Sequence, residues 1–442
     1  MSLAGAIGRR HVIVVVCTLL QLCLGTVYAW SFFQSLLVSQ LGWTYIQTAY
    51  AFSITIFSLG IAAAWAGRAL PRFGPRKLAT LGSAMFAAGY VAAGTALEIE
   101  SMALFYLGYG CVGGAGIGLG YVTPVATAAK WFPERKGLVT GIVIMGFGLG
   151  ASLLSKGLAP YLVTLTDGDL ALVFTGLGII FGCILIPSSL LLTDPPKKQE
   201  PPVPAKAIAT DAGQSSDSDS IAASLYSSKF LIMWLVFFFN ISAGISVISV
   251  QSQLFQDVWR LGEPLAEPEA LAQYGATLIA VSSLFNGVGR LFWASLSDRF
   301  GRTRVFRILL ASQMVVFGVL MSERDPWIFA ALVCYILLCF GGGFATMPSF
   351  VSDVFGSKRM SAIYGTILTA WSAAGIFGPL YMGYLRDQYP DRFVIYCFLV
   401  GVLILGMGYV FSYLLNDERI RTHPPTLEGT LRQFGIPRLR KP

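Results

Sequence analysis

Apolar residues in this chain gather in long unbroken runs instead of recurring on one face of a helix or on alternate positions of a strand. Twelve runs can be marked, at about 12–36, 45–66, 78–97, 102–127, 138–163, 170–192, 229–254, 273–296, 305–321, 327–350, 361–384 and 393–415. Uncharged stretches of this length are the mark of segments that cross a bilayer. Inside hydrocarbon each segment must satisfy its own backbone, so the runs predict helices and not strands. The first run follows Arg9-Arg10, as a signal peptide would, yet it stays apolar for about 25 residues. That is longer than a signal core, and the run is read as a retained first span.

Between the runs, one interval stands apart. Residues 193–228 carry Pro195-Pro196, Pro201-Pro202, Pro204 and the stretch GQSSDSDS. Such a segment cannot bury enough apolar surface to fold, and it reads as a linker. It divides the chain into a six-span half at 1–192 and a second at 229–415, with a basic tail at 416–442. The halves repeat one another. GRALPRFGPRK at 67–77 follows span two, and ASLSDRFGRTR at 294–304 follows span eight, with Arg-Phe-Gly shared at an offset of 227. KWFPERKGLVTG after span four has a counterpart in DVFGSKRMSAIYG after span ten. Two six-helix repeats predict a transporter layout, with a binding site near the membrane midplane between the halves.

Composition agrees with a membrane protein: 55% of the 442 residues are hydrophobic and 12% are charged, about half the charge density of a soluble domain. The net charge of +8 would suit nucleic acid, but its placement predicts orientation instead. If the N-terminus is cytoplasmic, 25 of the 31 Lys and Arg fall on cytoplasmic segments, and only Arg260, Arg324, Arg386 and Arg392 fall outside. That bias is the positive-inside rule, and it predicts that both termini are cytoplasmic; the expected location is a cell (inner) membrane. The tail bases Arg432, Arg438, Arg440 and Lys441 are expected to rest on anionic headgroups. Seven cysteines fall within spans without a CxxC pair, and His11 and His423 are the only histidines. Neither a metal site nor a cofactor is expected. The glycines of GYGCVGGAGIGLG (108–120) sit mid-span with no strand before them, so they predict close helix packing and not a nucleotide loop. GGGF at 341–344 is their counterpart. Pro124 and Pro348 are expected to kink spans four and ten.

Lys229 and Arg307 stand within the first three residues of their runs; only two basic residues lie deeper, Lys156 and Arg290, and no acidic residue lies deep in any run. A charge at that depth costs about 2.5–3.5 kcal/mol on insertion scales, so it needs a reason. Lys156 is near the end of its span and is expected to snorkel. Arg290 lies about 9 Å by helical rise from its boundary, which would nearly allow the same. Its helical face, however, carries Asn286, Ser283 and Ser282, and such a stripe suits a watery cavity better than lipid. A buried guanidinium without a protein carboxylate can take a ligand carboxylate through two parallel hydrogen bonds. Span seven carries a second stripe, Ser242, Ser246, Ser249, Gln253 and Asp257. It reads either as a wetted access path or as interhelical packing. Asp257 is the nearest carboxylate to the pathway and is the proton-coupling candidate, since arginine does not deprotonate. Asn240, near mid-membrane, is a further cavity candidate.

The turn Asp298-Arg299-Phe300-Gly301-Arg302 resembles the signature loop of the major facilitator superfamily, and the layout covers essentially the whole chain. Gly67, Arg72 and Gly74 form the first-half copy, which has Pro71 where the family has an acid. GTVYAWSFF (25–33), GAGIGLGYVTPVATAAKWFPERKG (114–137) and FNGVGR (285–290) are similar to the oxalate–formate antiporter group and its monocarboxylate-carrier relatives. The resemblance implies that Arg290 binds a carboxylate and that Tyr28 and Tyr121 are cavity tyrosines, while Trp30 is packing. It also implies a second helix-eleven cation in dianion carriers, where this chain has Trp371, and a polar residue where it has Val27. Animal monocarboxylate transporters have an acid where this chain has Asn286.

The expectation is an all-α membrane protein of twelve transmembrane helices in two pseudo-symmetric halves. It is expected to be a monomer that carries a small monocarboxylate such as lactate, pyruvate or formate by alternating access, with a proton, in symport. The alternative is an oxalate–formate type exchanger. A polytopic membrane enzyme would need an acid/base or metal cluster at the membrane face, and a sensor would need a folded signalling domain. The sequence offers neither.

Overall fold

The computed structural model describes residues 3–132, 136–196, 221, 223–356 and 359–415. Most of the expected linker, the whole tail 416–442 and parts of the turns after spans four and ten lie outside the described residues. The described start of the linker is tied to the end of span four. There the Trp131 indole donates to the Thr193 carbonyl at 2.7 Å, and Lys130 pairs with Asp194 at 2.7 Å.

The first half contains α1 (Arg10–Leu41), a continuous stretch Tyr45–Glu98, α4 (Met102–Trp131), α5 (Leu138–Leu165) and α6 (Leu170–Leu190). The stretch Tyr45–Glu98 has 54 residues, about 80 Å of helix, far more than one bilayer crossing requires. Gly74 divides it with φ 76° and ψ 164°, giving α2 (45–73) and α3 (75–98). The second half contains α7 (Ser228–Gly262), α8 (Pro268–Phe300), α9 (Arg302–Leu320), α10 (Pro326–Phe355), α11 (Met360–Gln388) and α12 (Phe393–Ser412). The protein is therefore all-α, with twelve membrane-length helices among the described residues. Several run past the apolar stretches that announced them, because polar flanks continue the helix beyond hydrocarbon.

Local chemistry sets many of the ends. Thr44 and Gln47 form a reciprocal capping box at the start of α2, and Asp169 and Asp325 accept from the first amides of α6 and α10. Gly301 ends α8 with φ 90° and ψ 148°, close to the conformation of Gly74 at the repeat-related position. A positive φ of this kind suits glycine alone, so the repeat is present in backbone geometry as well as in letters.

The halves meet through α1, α2 and α5 on one side and α7, α8 and α11 on the other. Apolar side chains such as Val315 and Val410 are about two-thirds exposed on the outer surface, where only lipid suits them. The glycine run of α4 does pack closely: a Cβ on Gly118 would lie 2.1 Å from the Leu59 carbonyl oxygen of α2. Pro124 and Pro348 lie inside the α-helical stretches Gly114–Trp131 and Pro326–Phe355. Regular α-helix is interrupted by π-helical turns at Tyr106–Gly113 in α4 and Leu154–Leu158 in α5, and at two further places. A 3₁₀ turn at Gly25–Ala29 breaks α1, and α11 changes course at Leu368, between Met360–Ile367 and Thr369–Gln388.

Candidate functional site: a buried arginine in an aromatic cage

Arg290 lies on α8 at the centre of the interface and is fully buried. Its side chain does not reach a membrane surface. Instead the guanidinium carbon sits 5.7 Å from the ring centre of Phe147 on α5 and 5.3 Å from that of Phe344 on α10. Nε, Nη1 and Nη2 have no hydrogen-bond partner among the described residues. No described carboxylate forms an ion pair with it. Close helix approach creates this position. Gly148 of α5 meets Gly287 of α8 so tightly that a Cβ on Gly148 would lie 2.8 Å from the Gly287 backbone and 3.1 Å from Arg290 Nε.

Tyr28, Tyr121 and Trp371 converge on the same point. The 3₁₀ turn in α1 presents Tyr28, whose ring lies 5.3 Å from Phe147, 5.6 Å from Phe340 and 6.1 Å from Trp371. Tyr121 meets Phe147 at 5.0 Å and Trp371 at 5.5 Å, both edge to face. Trp371 completes the wall against Phe344 at 4.7 Å. The hydroxyls of Tyr28, Tyr121 and Tyr364 are buried without a hydrogen-bond partner. The result is one permanent cation, three hydroxyl donors and a shell of aromatic rings. Such a set can orient an anion with a small apolar body.

Asn286, one turn before Arg290 on α8, and Asn240 on α7 face the glycines of α10. A Cβ on Gly341 would meet the Asn286 carbonyl oxygen at 2.1 Å, and one on Gly343 would meet Asn240 Oδ1 at 2.2 Å. The GGGF segment thus makes room for two asparagines. The serines beside Asn286 join helices: Ser283 donates to the Gly148 carbonyl at 2.6 Å, across the halves, and Ser282 to Gln251 at 2.8 Å. In the α7 stripe, Ser246 and Ser249 bond to their own helix, while Gln253 donates to the Ser31 carbonyl at 3.2 Å and to Ser35 at 3.1 Å. Of these, Gln253 alone bridges to α1, and the Ser242 hydroxyl is buried without a hydrogen-bond partner among the described residues.

Asp257 is remote from the cage. It lies at the end of the bundle opposite the basic turns, in a two-pronged ion pair with Arg386 of α11. The next residue, Asp387, reaches across the halves and accepts from the Tyr45 amide at 3.1 Å and the Ile46 amide at 2.9 Å, at the start of α2. Lys156 is exposed at this same end, as expected, and donates to the Gln273 carbonyl of α8 at 3.2 Å.

At the basic end, Asp298 pairs with Arg302 at 2.5 Å, and Arg302 pairs with Asp353 of α10 at 3.1 Å. Arg299 is exposed in the last turn of α8. In the first-half copy Arg72 lies over the Phe73 ring at 5.5 Å. Gly67 approaches α11 so closely that a Cβ would lie 2.7 Å from the Ser361 carbonyl oxygen. That contact, with the bond from Arg68 to Thr366 at 3.1 Å, closes the basic end.

Sequence reasoning missed Phe147, Phe344 and Tyr364. Tyr364 precedes Trp371 by seven residues, two helical turns that bring both to one face, and that spacing was available as a signal. The two phenylalanines carry no such mark.

Comparison with known proteins agrees with this architecture. The family model of the Major Facilitator Superfamily matches residues 14–379 and 264–439. The chain is 26% identical over 377 residues to the oxalate:formate antiporter of Oxalobacter formigenes, covering 85% of this chain and 84% of that one. It is 25% identical over 449 residues to apicoplast pyruvate carrier 1 of Toxoplasma gondii, covering 81% and 80%. Among solved structures, a D-xylose-proton symporter superposes with a TM-score of 0.66 at 14% identity, covering 91% of this chain and 97% of that one. Twelve helices in two repeated halves, a charged centre between them and a family match over most of the length lead to one assignment. The chain belongs to the major facilitator superfamily of transporters and is not an enzyme.

Proposed function

We propose that this protein is a secondary active carrier of small monocarboxylates of the lactate, pyruvate or formate type, and that a proton accompanies the substrate. The observation that carries the reading is the Arg290 guanidinium, buried between the halves with no protein carboxylate beside it. A carboxylate is the ligand whose charge and fork geometry match it. Tyr28, Tyr121 and Tyr364 would donate to the same anion, with Asn286 and Asn240 facing the glycines of α10, and Trp371 would wall the site where a second carboxylate would need a cation. The relatives' names, an oxalate:formate antiporter and a pyruvate carrier, support small carboxylates as the class.

In this reading the basic end faces the cytoplasm of a cell (inner) membrane, and the carrier works as a monomer. Its halves, 1–192 and 229–415, rock about the arginine, joined by the linker 193–228. The turn residues Asp298, Arg299, Gly301 and Arg302, with Gly67, Arg72 and Gly74, guard the cytoplasmic side. Asp257 is the proton-coupling group: a proton there breaks its pair with Arg386 and loosens α11 from α7. The second reading is obligate exchange of the oxalate–formate kind. It is favoured by the permanent charge of Arg290, which makes the return of an unloaded carrier costly.

Proteoliposomes offered labelled lactate, formate and oxalate, with and without a pH gradient, separate the two. Gradient-driven accumulation of a monocarboxylate that is lost in Arg290→Gln is the expected result. Transport of oxalate alone, and only into preloaded vesicles, would favour the exchanger. Wild-type uptake by Arg290→Gln would end the carboxylate reading.

A further inference from the structure

We propose that Phe147 and Phe344 act as a stand-in for the substrate's negative charge, and so decide whether the carrier can cross empty. The inference rests on the monocarboxylate reading. Arg290 keeps its charge in every state of the cycle. With a monocarboxylate on it the centre is neutral; on the return it carries a bare cation through a closed, water-poor interface. The described residues include no acid that pairs with it. What the protein does supply is two aromatic rings, at 5.7 and 5.3 Å from the guanidinium carbon. Both distances lie within the range at which a ring's quadrupole attracts a cation, and the attraction grows when water is excluded.

The placement of the rings favours this role over simple space filling. One comes from α5 of the first half and the other from α10 of the second. The pair can therefore clasp the arginine only when the halves are together. Each ring is itself fixed by aromatic neighbours. Phe147 is edge-on to Tyr28 and Tyr121 at interplanar angles of 83° and 89°. Phe344 is held by Trp371 and by Phe237 at 4.7 and 5.2 Å. Both phenylalanines are fully buried. A carboxylate has charge and hydrogen bonds that a ring lacks, so substrate outcompetes the rings. Without substrate they keep the centre from being an unbalanced charge.

The test compares two modes of transport in the same vesicles: net uptake of labelled lactate or formate into unloaded proteoliposomes, and exchange into vesicles preloaded with the same acid. Net uptake requires the empty return, whereas exchange does not. Phe147→Leu and Phe344→Leu, made separately, should each lower net uptake about tenfold more than they lower exchange. Phe147→Tyr and Phe344→Tyr retain the ring face and should keep the wild-type ratio. An unchanged ratio in both leucine variants overturns the proposal, and so does a parallel fall of net uptake and exchange, which is what a packing role alone would give. If the wild type carries none of lactate, formate or oxalate, the monocarboxylate reading itself falls and takes this inference with it, an outcome distinct from the others.

Discussion

Arg290 is held by shape and by rings, not by a counter-charge, and this sets what its replacements should do. A lysine keeps the charge but loses the planar fork. Losing one charge-assisted hydrogen bond costs about 1.5–3 kcal/mol, roughly a 10- to 100-fold loss of substrate affinity. Arg290→Lys should therefore bind the labelled acid that much more weakly in an equilibrium assay while expressing normally, and near-wild-type affinity would show that the fork is not used. Trp371, packed against Tyr28, Tyr121, Phe147 and Phe344, supplies apolar wall where a dianion needs a second cation. Trp371→Lys should raise oxalate affinity relative to lactate; a constant ratio would remove the wall from the account of specificity. Arg290 was legible in the sequence because a charge inside an apolar run is costly and therefore conspicuous. Phe147 and Phe344 were not, since they are two of 31 phenylalanines and any of those can be core. Only the fold brings these two to the guanidinium.

Helix ends carry the second group of consequences. Asp387 accepts from the first two amides of α2, where a helix N-terminus favours negative charge by about 0.3–1 kcal/mol, more when partly buried. The bond crosses from one half to the other at the end where Asp257 and Arg386 pair. Asp387→Ala should loosen that closure, and hydrogen exchange should rise at 250–257, on a helix other than the one Asp387 caps. Unchanged exchange there would confine the aspartate to local capping. If Asp257 couples the proton, Asp257→Asn loses accumulation driven by a pH gradient and keeps exchange between preloaded vesicles. A variant that still concentrates substrate when the lumen is alkaline would pass the role to Glu263 and Glu267. Neither contact could be read from the chain, because the partners of Asp387 lie more than 340 residues away. The breaks in α1 and α11 were hidden for a related reason. No proline marks the break in α1, which is accompanied by close packing of Gly25 against the Phe147 backbone.

For the molecule as a whole, the twelve spans, their division into halves and the repeat were all visible as hydrophobic runs and shared turns. A bilayer imposes a single length scale and a single polarity on every crossing, which is why such a fold is written so openly. The matched turns also carry a difference. Gly74 and Gly301 adopt nearly the same backbone, but Pro71 and Pro75 flank the first, while the second is secured by Asp298, Arg302 and Asp353. Proline stiffens a chain covalently. An ion pair with exposed partners weakens as salt screens it, and Asp298 and Asp353 are 64% and 51% exposed. The two hinges should consequently respond unequally to ionic strength. Concentrated salt should speed proteolytic nicking at 298–304 and leave 71–77 untouched, so the electrolyte on the basic side becomes a control on one half of the machine and not on the other.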